Sequence, residues 1–180
     1  WYEFLDAFRI APRVGVNVPA GRSGSLNLSA GRYYQAPQFI WLVGDPGNGS
    51  RLTPIRADQV VAGYERLLRR DLKAQPEVYY KDYGAYPTRL FRPQAVLQPS
   101  GFDDASADIP SGLEPLSSAG AGQSYGIELF VQKRLATSPF YGFASVSLNR
   151  TQFTALDGVA RSGSFETRAI RGLFFAGQIN

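Results

Sequence analysis

From Gln123 to Phe153 the sequence alternates between two kinds of side chain over two runs of about 10 residues each, the period of a β-strand with different surroundings on its two faces. Tyr125, Ile127, Leu129 and Val131, then Phe140, Gly142, Ala144, Val146 and Leu148, are apolar or small at every second position. Between them stand Glu128, Gln132, Arg134, Ser145, Ser147, Asn149 and Thr151, and a turn containing Pro139 joins the runs. A tilted strand of that length is what crossing the hydrocarbon layer of a bilayer takes.

The same arrangement recurs upstream. Phe8, Ile10, Pro12, Val14, Val16 and Val18 alternate with Arg9, Ala11, Arg13, Gly15 and Asn17, and a Gly- and Pro-rich turn from Pro19 to Gly24 follows. Leu26, Leu28 and Ala30 then alternate with Ser25, Asn27, Ser29 and Gly31 up to Tyr33 and Tyr34. The sequence therefore predicts hairpins over 7–35, 58–83 and 123–153 and a last strand over 167–180, about seven strands in all. Local rules conflict in the second of these. Val60, Val61, Tyr64, Leu67, Leu68 and Leu72 fit an amphipathic helix over Ala57 to Ala74, and propensity favours it. Alternation on both sides of Arg69-Arg70-Asp71 and the place of this segment between two clearer hairpins favour strands instead. Pro76, which removes a ladder donor, and Gly142 sit awkwardly in their strands.

Connections separate the two ends of the array. Those within hairpins are about 3 to 6 residues long, while those between hairpins run to about 20 (35–54), about 40 (84–122) and about 14 (154–167), where compact domains keep all loops short. Short turns at one end and long loops at the other are the build of outer-membrane barrels. Tyr33, Tyr34, Phe39, Trp41, Tyr79, Tyr80, Tyr83, Tyr86 and Phe153 gather at the long-loop end, and Phe140 and Tyr141 near a short turn, as interfacial girdles do. The expected fold class is thus all-β, an antiparallel up-and-down transmembrane β-barrel segment. Ile127, Leu129, Val131, Ala144 and Val146 would meet lipid. Arg13, Glu65, Glu77, Glu128, Gln132 and Arg134 would face a wet lumen or whatever fills it.

Composition excludes several functions. With no Cys and no His, thiol and imidazole catalysis and most zinc or haem ligation are gone, and no catalytic residue, metal site or cofactor is expected. Acyl hydrolases of the outer membrane would need the missing His. The net charge of +4 comes from scattered Arg without a Lys/Arg block interleaved with aromatics, which argues against nucleic acid. The absence of Met, with Trp1 first, reads as a segment of a longer or processed chain.

Four passages carry a resemblance. Ala11-Pro12-Arg13-Val14-Gly15-Val16 and Gly31-Arg32-Tyr33-Tyr34-Gln35-Ala36-Pro37 are similar to a "PR-x-G … G-x-x-Y-x-x-P" passage, Val78-Tyr79-Tyr80-Lys81-Asp82-Tyr83 to a strand end "x-Y-Y-K-x-Y", and Tyr125 to Lys133 to "Y-G-x-E-L-x-x-x-K". Phe165-Glu166-Thr167-Arg168 resembles "F-D-x-R-H", with Ala169 where His is usual. Together they resemble the barrel of TonB-dependent outer-membrane receptors. The resemblance implies one partial barrel domain over 1–180, without the plug, in a bacterial outer-membrane protein that imports a scarce nutrient such as a siderophore, vitamin or carbohydrate. Its partners would be outer-membrane lipid, the plug and remaining strands of the parent chain, TonB through that plug, and the nutrient.

Site candidates are few. Phe39, Trp41, Tyr83 and Tyr86 on or beside the long loops could stack on a ligand ring. Gly44 to Ser50 lacks the Lys-Ser/Thr of a phosphate loop and reads as a flexible external loop. Asp103, Asp104 and Asp108 do not have EF-hand spacing. The competing reading is a soluble β-rich carbohydrate- or ligand-binding module.

Overall fold

The computed structural model describes residues 8–97, 114–136, 139–163 and 169–177. Eight antiparallel strands form a single sheet: β1 (Arg13–Pro19), β2 (Gly24–Gln35), β3 (Ile55–Arg69), β4 (Leu72–Arg89), β5 (Leu116–Lys133), β6 (Phe140–Thr154), β7 (Ala160–Ser162) and β8 (Ala169–Gly177). Each of the first six pairs with its sequence neighbour. β7 and β8 both pair with β6, opposite Gln152 to Thr154 and opposite Phe140 to Leu148 respectively, so they occupy one position at two heights. The sheet is therefore seven strands wide. Among the described residues β1 pairs only with β2 and β8 only with β6, which leaves two free edges.

The conflict between helix and hairpin resolves as a hairpin. β3 and β4 turn at Arg70 and Asp71, and each continues beyond the expected limits. Helix propensity is worth tenths of a kcal/mol per residue and gives way to neighbours on both sides. β3 is paired with β2 along the whole length of β2, from Gly24↔Arg66 to Gln35↔Ile55. Pro76 leaves a local mark, since the β3–β4 ladder has no registered pair between Gly63↔Glu77 and Arg66↔Ala74.

All three short turns, 20–23, 70–71 and 134–139, lie at one end, and the long connections lie at the other. The middle connection is shorter than expected, because β4 runs on to Arg89 and β5 starts at Leu116. At about 3.3 Å per residue these two strands, of 18 residues each, reach about 60 Å, beyond the other strands of the sheet, and carry a small cap. The first long connection is ordered as well, with short helices α1 (Phe39–Val43) and α2 (Asn48–Arg51) in place of the expected flexible loop. The acidic residues Asp103, Asp104 and Asp108, and the passage Phe165 to Arg168, lie outside the described residues.

The only buried apolar cluster among the described residues is in this cap. Trp41, Leu52, Leu97 and Leu116 pack together, with Leu42 and Ile55 against them. Asn48 at its centre is wholly buried; its Nδ2 donates to Trp41 O (2.7 Å) and Glu114 O (2.9 Å), and its Oδ1 accepts from Leu116 N (2.8 Å). Beside it Arg89 Nε and Glu114 Oε1 lie 3.0 Å apart, both side chains almost fully buried. The third connection leans on the same cap, as Asp157 N donates to Pro93 O and Arg161 Nη1 to Gln94 O.

Candidate functional site

Because directly paired residues share a face, the registers sort every side chain. One face carries Val14, Val16 and Val18 on β1; Leu26, Leu28 and Ala30 on β2; Val60, Ala62 and Tyr64 on β3. It continues through Val78 and Tyr80 on β4, Ile127, Leu129 and Val131 on β5, Ala144, Val146 and Leu148 on β6, and Leu173 on β8. These apolar residues form a continuous band from β1 to β6, and most are exposed: Ile127 is 58% and Val60 56% accessible. On β8 the same face carries Leu173 beside Arg171, which pairs with Val146. The band has polar borders. At the long-loop end Arg32, Asp58, Arg56 and Asp82 form a row on the same face, with Arg32 Nε and Nη2 donating to the two oxygens of Asp58 at 2.6 and 2.8 Å. Arg56 lies 3.4 Å from Asp58 and 3.6 Å from Asp82. At the short-turn end stand Arg66 and the Lys133–Asp71 pair.

The opposite face is polar through its middle. Asn17 and Asn27 are hydrogen-bonded across β1 and β2, Ser124 and Thr151 across β5 and β6 at 2.9 Å, and Lys73 pairs with Glu65 at 3.2 Å. Arg13, Glu65, Glu77, Glu128 and Gln132 all lie here by register, as the alternation predicts. Arg13 packs over the Tyr33 ring at 4.4 Å, and Glu128 accepts from Ser147 Oγ at 3.2 Å. Arg134 does not join them; it lies past the end of β5 in the turn, where its N–H donates to Asp71 O. One feature was not legible from period 2. Phe130, Phe143 and Phe174 stack on this face near the short turns, with ring centroids 5.9 and 5.5 Å apart.

At the upper end of the polar face three rings meet. Tyr83 and Tyr86 are three residues apart and in a regular strand would point opposite ways. A bulge between them, with Ala85 at φ 55°, restores them to one side. Phe153 completes the group, 5.9 Å from Tyr83 and 4.6 Å from Tyr86. The space for Phe153 is a glycine: a Cβ on Gly122 would lie 2.4 Å from the Phe153 ring. Burial pushes the Tyr86 hydroxyl up to about 12, with Tyr83 adding to it, so the phenol stays neutral.

The aromatic residues expected in one belt therefore divide. Tyr34 and Tyr80 border the apolar band, as does Tyr125, while Tyr33, Tyr79, Tyr83, Tyr86 and Phe153 turn to the polar face. Neighbours in a strand point to opposite sides, so nearness in sequence to a loop does not choose the face. Of the four proposed ligand contacts, Phe39 is exposed on α1, Tyr83 is half-buried and Tyr86 is buried beneath its neighbours. Trp41 is a correction. At 3% exposure it is the core of the cap, held there because α1 and α2 fold its ring onto Leu52, Leu97 and Leu116.

Among the described residues no helix is long and apolar enough to cross a membrane, which says nothing of strands. No group of three or more His, Cys, Asp or Glu residues among them has the placement to hold a metal ion. A scan against protein-family models finds no match, and no curated protein matches the chain.

Proposed function

We propose that this sheet is wall and external loops of an outer-membrane barrel of the TonB-dependent receptor type, in a parent protein that imports a scarce nutrient. The observation that carries the reading is the apolar band that runs from β1 to β6. A water-soluble sheet with one apolar face covers it with helices or a second sheet, but here the described residues leave it bare from β1 to β6. Its height suits a bilayer. On β5 the band lies between Gln123 and Lys133, about 33 Å along the strand and about 25 Å once tilted by the usual 35–45°, the height of the apolar band on such barrels.

Charge rows at both borders and Tyr34, Tyr80 and Tyr125 near one of them suit interfaces. The free edges at β1 and β8 are where further strands of a parent chain would pair. The motif resemblance supports the receptor type, with a plug against the polar face and TonB acting through that plug. Tyr83 in the ring cluster at the upper end of that face and the exposed Phe39 on α1 are the rings that would meet an incoming nutrient.

A label test addresses the faces directly, and the absence of native Cys makes it clean. Single cysteines at Ile127 and Glu128, adjacent but on opposite faces, are labelled with an environment-sensitive fluorophore in proteoliposomes. Quenching of the 127 label by lipid-borne quencher and of the 128 label by aqueous quencher is expected. Equal aqueous quenching at both, or a chain that stays monomeric and soluble without detergent, overturns the membrane reading in favour of a soluble binding module.

A further inference from the structure

The arginines at the two ends of the sheet keep different company. At the long-loop end Arg32, Arg51, Arg56, Arg89 and Arg161 are each paired with an aspartate or glutamate. At the short-turn end Arg22, Arg66, Arg69, Arg70 and Arg134 are all exposed, and among the described residues none of their side chains has an ion pair or a hydrogen bond. The carboxylates at that end are already engaged, Glu65 by Lys73 at 3.2 Å and Asp71 by Lys133. Arg69 acts on Asp71 as well, but more weakly than Lys133 does. An excess of cation is left that no described carboxylate balances.

Two of these arginines border the apolar band. Arg66 follows Val60, Ala62 and Tyr64 on the apolar face of β3 and lies opposite Gly24 and Ala74. Arg69, three residues further on, would fall on the polar face in a regular strand. The register shift between Leu67 and Arg69 instead brings it opposite Leu72, on the apolar face. Arg22, Arg70 and Arg134 stand just beyond, in the three short turns. The first turn and β3 frame a recess of about 390 Å³, lined by Ala20, Gly21, Arg22, Ser23, Tyr64 and Arg66, with two guanidinium-bearing residues and no carboxylate.

An apolar band that ends in unpaired guanidiniums suits the phosphate plane of a leaflet, where guanidiniums bond phosphate oxygens in pairs and long side chains reach from apolar surface to headgroup. The same charges select among lipids. An ammonium or choline group would find no free carboxylate here, so a headgroup that is anionic overall fits better than a zwitterionic one. An acidic protein in water would suit the turns but not Arg66 and Arg69, which share their face with the band. We propose that the short-turn end is a collar for anionic phospholipid, in which Arg66 and Arg69 at the border of the band, with Arg22, Arg70 and Arg134 beyond it, hold the lipid phosphates of the leaflet at that end. The inference rests on the membrane reading of the apolar face. The long-loop border beside Val14, where Arg32 and Arg56 are matched by Asp58 and Asp82, has no such preference.

The test places single-cysteine fluorophores on the apolar face at two heights, at Leu26, opposite Tyr64, and at Val14, opposite Ala30. The protein is reconstituted in vesicles of phosphatidylcholine and phosphatidylglycerol, with bromine quencher on the acyl chains of one lipid or the other. At 26 phosphatidylglycerol is expected to be enriched about fivefold over its bulk share, the effect of one basic side chain near an anionic surface, and the enrichment should fall as salt is raised. At 14 both lipids should quench in proportion to their bulk shares. Arg22→Gln with Arg66→Gln should move position 26 toward the bulk ratio and leave position 14 unchanged. Circular dichroism of each variant in vesicles checks folding; should that pair not fold, Arg22→Gln with Arg70→Gln, both in turns, decides on the same readout. Quenching at 26 in proportion to bulk shares, an equal enrichment at 14, or an enrichment unchanged by loss of the arginines overturns the collar. A failure of the membrane reading looks different, because neither brominated lipid would then quench the 26 label and the 127 label would be quenched from water.

Discussion

The wall and the cap are two regions of one sheet that solve burial in opposite ways. In the wall, Ile127, Leu129, Val60 and Leu28 stand exposed, and what is satisfied internally is the backbone, through ladders on both sides of β2 to β6. In the cap, Leu97, Leu116 and Trp41 are shut away from solvent and even the polar Asn48 and Thr88 are wholly enclosed. The cap is a small water-soluble core. The wall has no core of its own, which is what the proposed membrane setting requires of it. The difference teaches that the bare band is not a general inability of the chain to close a core, since the cap encloses Trp41, Leu52, Leu97 and Leu116.

The largest expected effect lies in the cap. Arg89 and Glu114 are paired at 3.0 Å with little access to water, so Arg89→Met would take a buried cation away from the Glu114 carboxylate. A loss of about 3–5 kcal/mol is expected, read as loss of hydrogen-exchange protection over 48–54 and 114–118. Protection in the middle of β2 and β3 should persist. If the wall loses protection together with the cap, the two are one cooperative unit and the contrast fails.

Next is the wall. Leu129→Arg, at mid-height of the band, should cost about 2–4 kcal/mol when folding is followed in bilayers, while Glu128→Arg on the polar face should change stability by less than about 1 kcal/mol. Equal costs would mean that both faces meet the same solvent.

This asymmetry between faces was readable in the sequence, because period 2 at Ile127, Leu129 and Val131 fixes parity, and parity fixes the face for every paired strand. The cap was not. Nothing in the spacing of Gly44 to Ser50 announces that Asn48 will satisfy three backbone groups supplied by residues seven to 68 positions away. Trp41 misled for a related reason: a loop ring reads as available until its packing partners arrive, Leu97 from the middle connection and Leu116 from the start of β5. The Tyr83–Tyr86 pairing needed a bulge that alternation cannot express, although Gly84-Ala85 between two tyrosines marks where the ladder slips.

The seam between wall and cap is that bulge, and it gives a smaller, signed prediction. Ala85 at φ 55° sits in the left-handed region, which costs an L residue about 1–2 kcal/mol. Ala85→Gly relieves this and loses part of the gain to the freer unfolded chain. A net stabilisation of up to about 1 kcal/mol is expected in denaturant titration. Ala85→Val should destabilise. If Ala85→Val is neutral, the seam is not strained and the rings Tyr83 and Tyr86 do not depend on it.

The smallest effect is a response to acid at both ends of the molecule. Asp157 is held down to about 2, first by hydrogen bonds from Arg161, at 2.9 Å from Nη1, and then by the Val159 N–H. Asp71, in the turn at the opposite end, is lowered by its hydrogen bond from Lys133. Both folded values lie below the ordinary Asp value near 3.9, so each pair supports the native state above that value and loses its contribution as pH falls through the folded one. Carboxyl carbon chemical shifts followed from about pH 5 to about pH 2 should show both aspartates titrating late. Arg161→Gln should return Asp157 toward the ordinary range without moving Asp71, since the two lie at opposite ends of the sheet and share no partner. A shift of Asp71 in that variant would show that cap and turns communicate through the wall, and would make the two regions one.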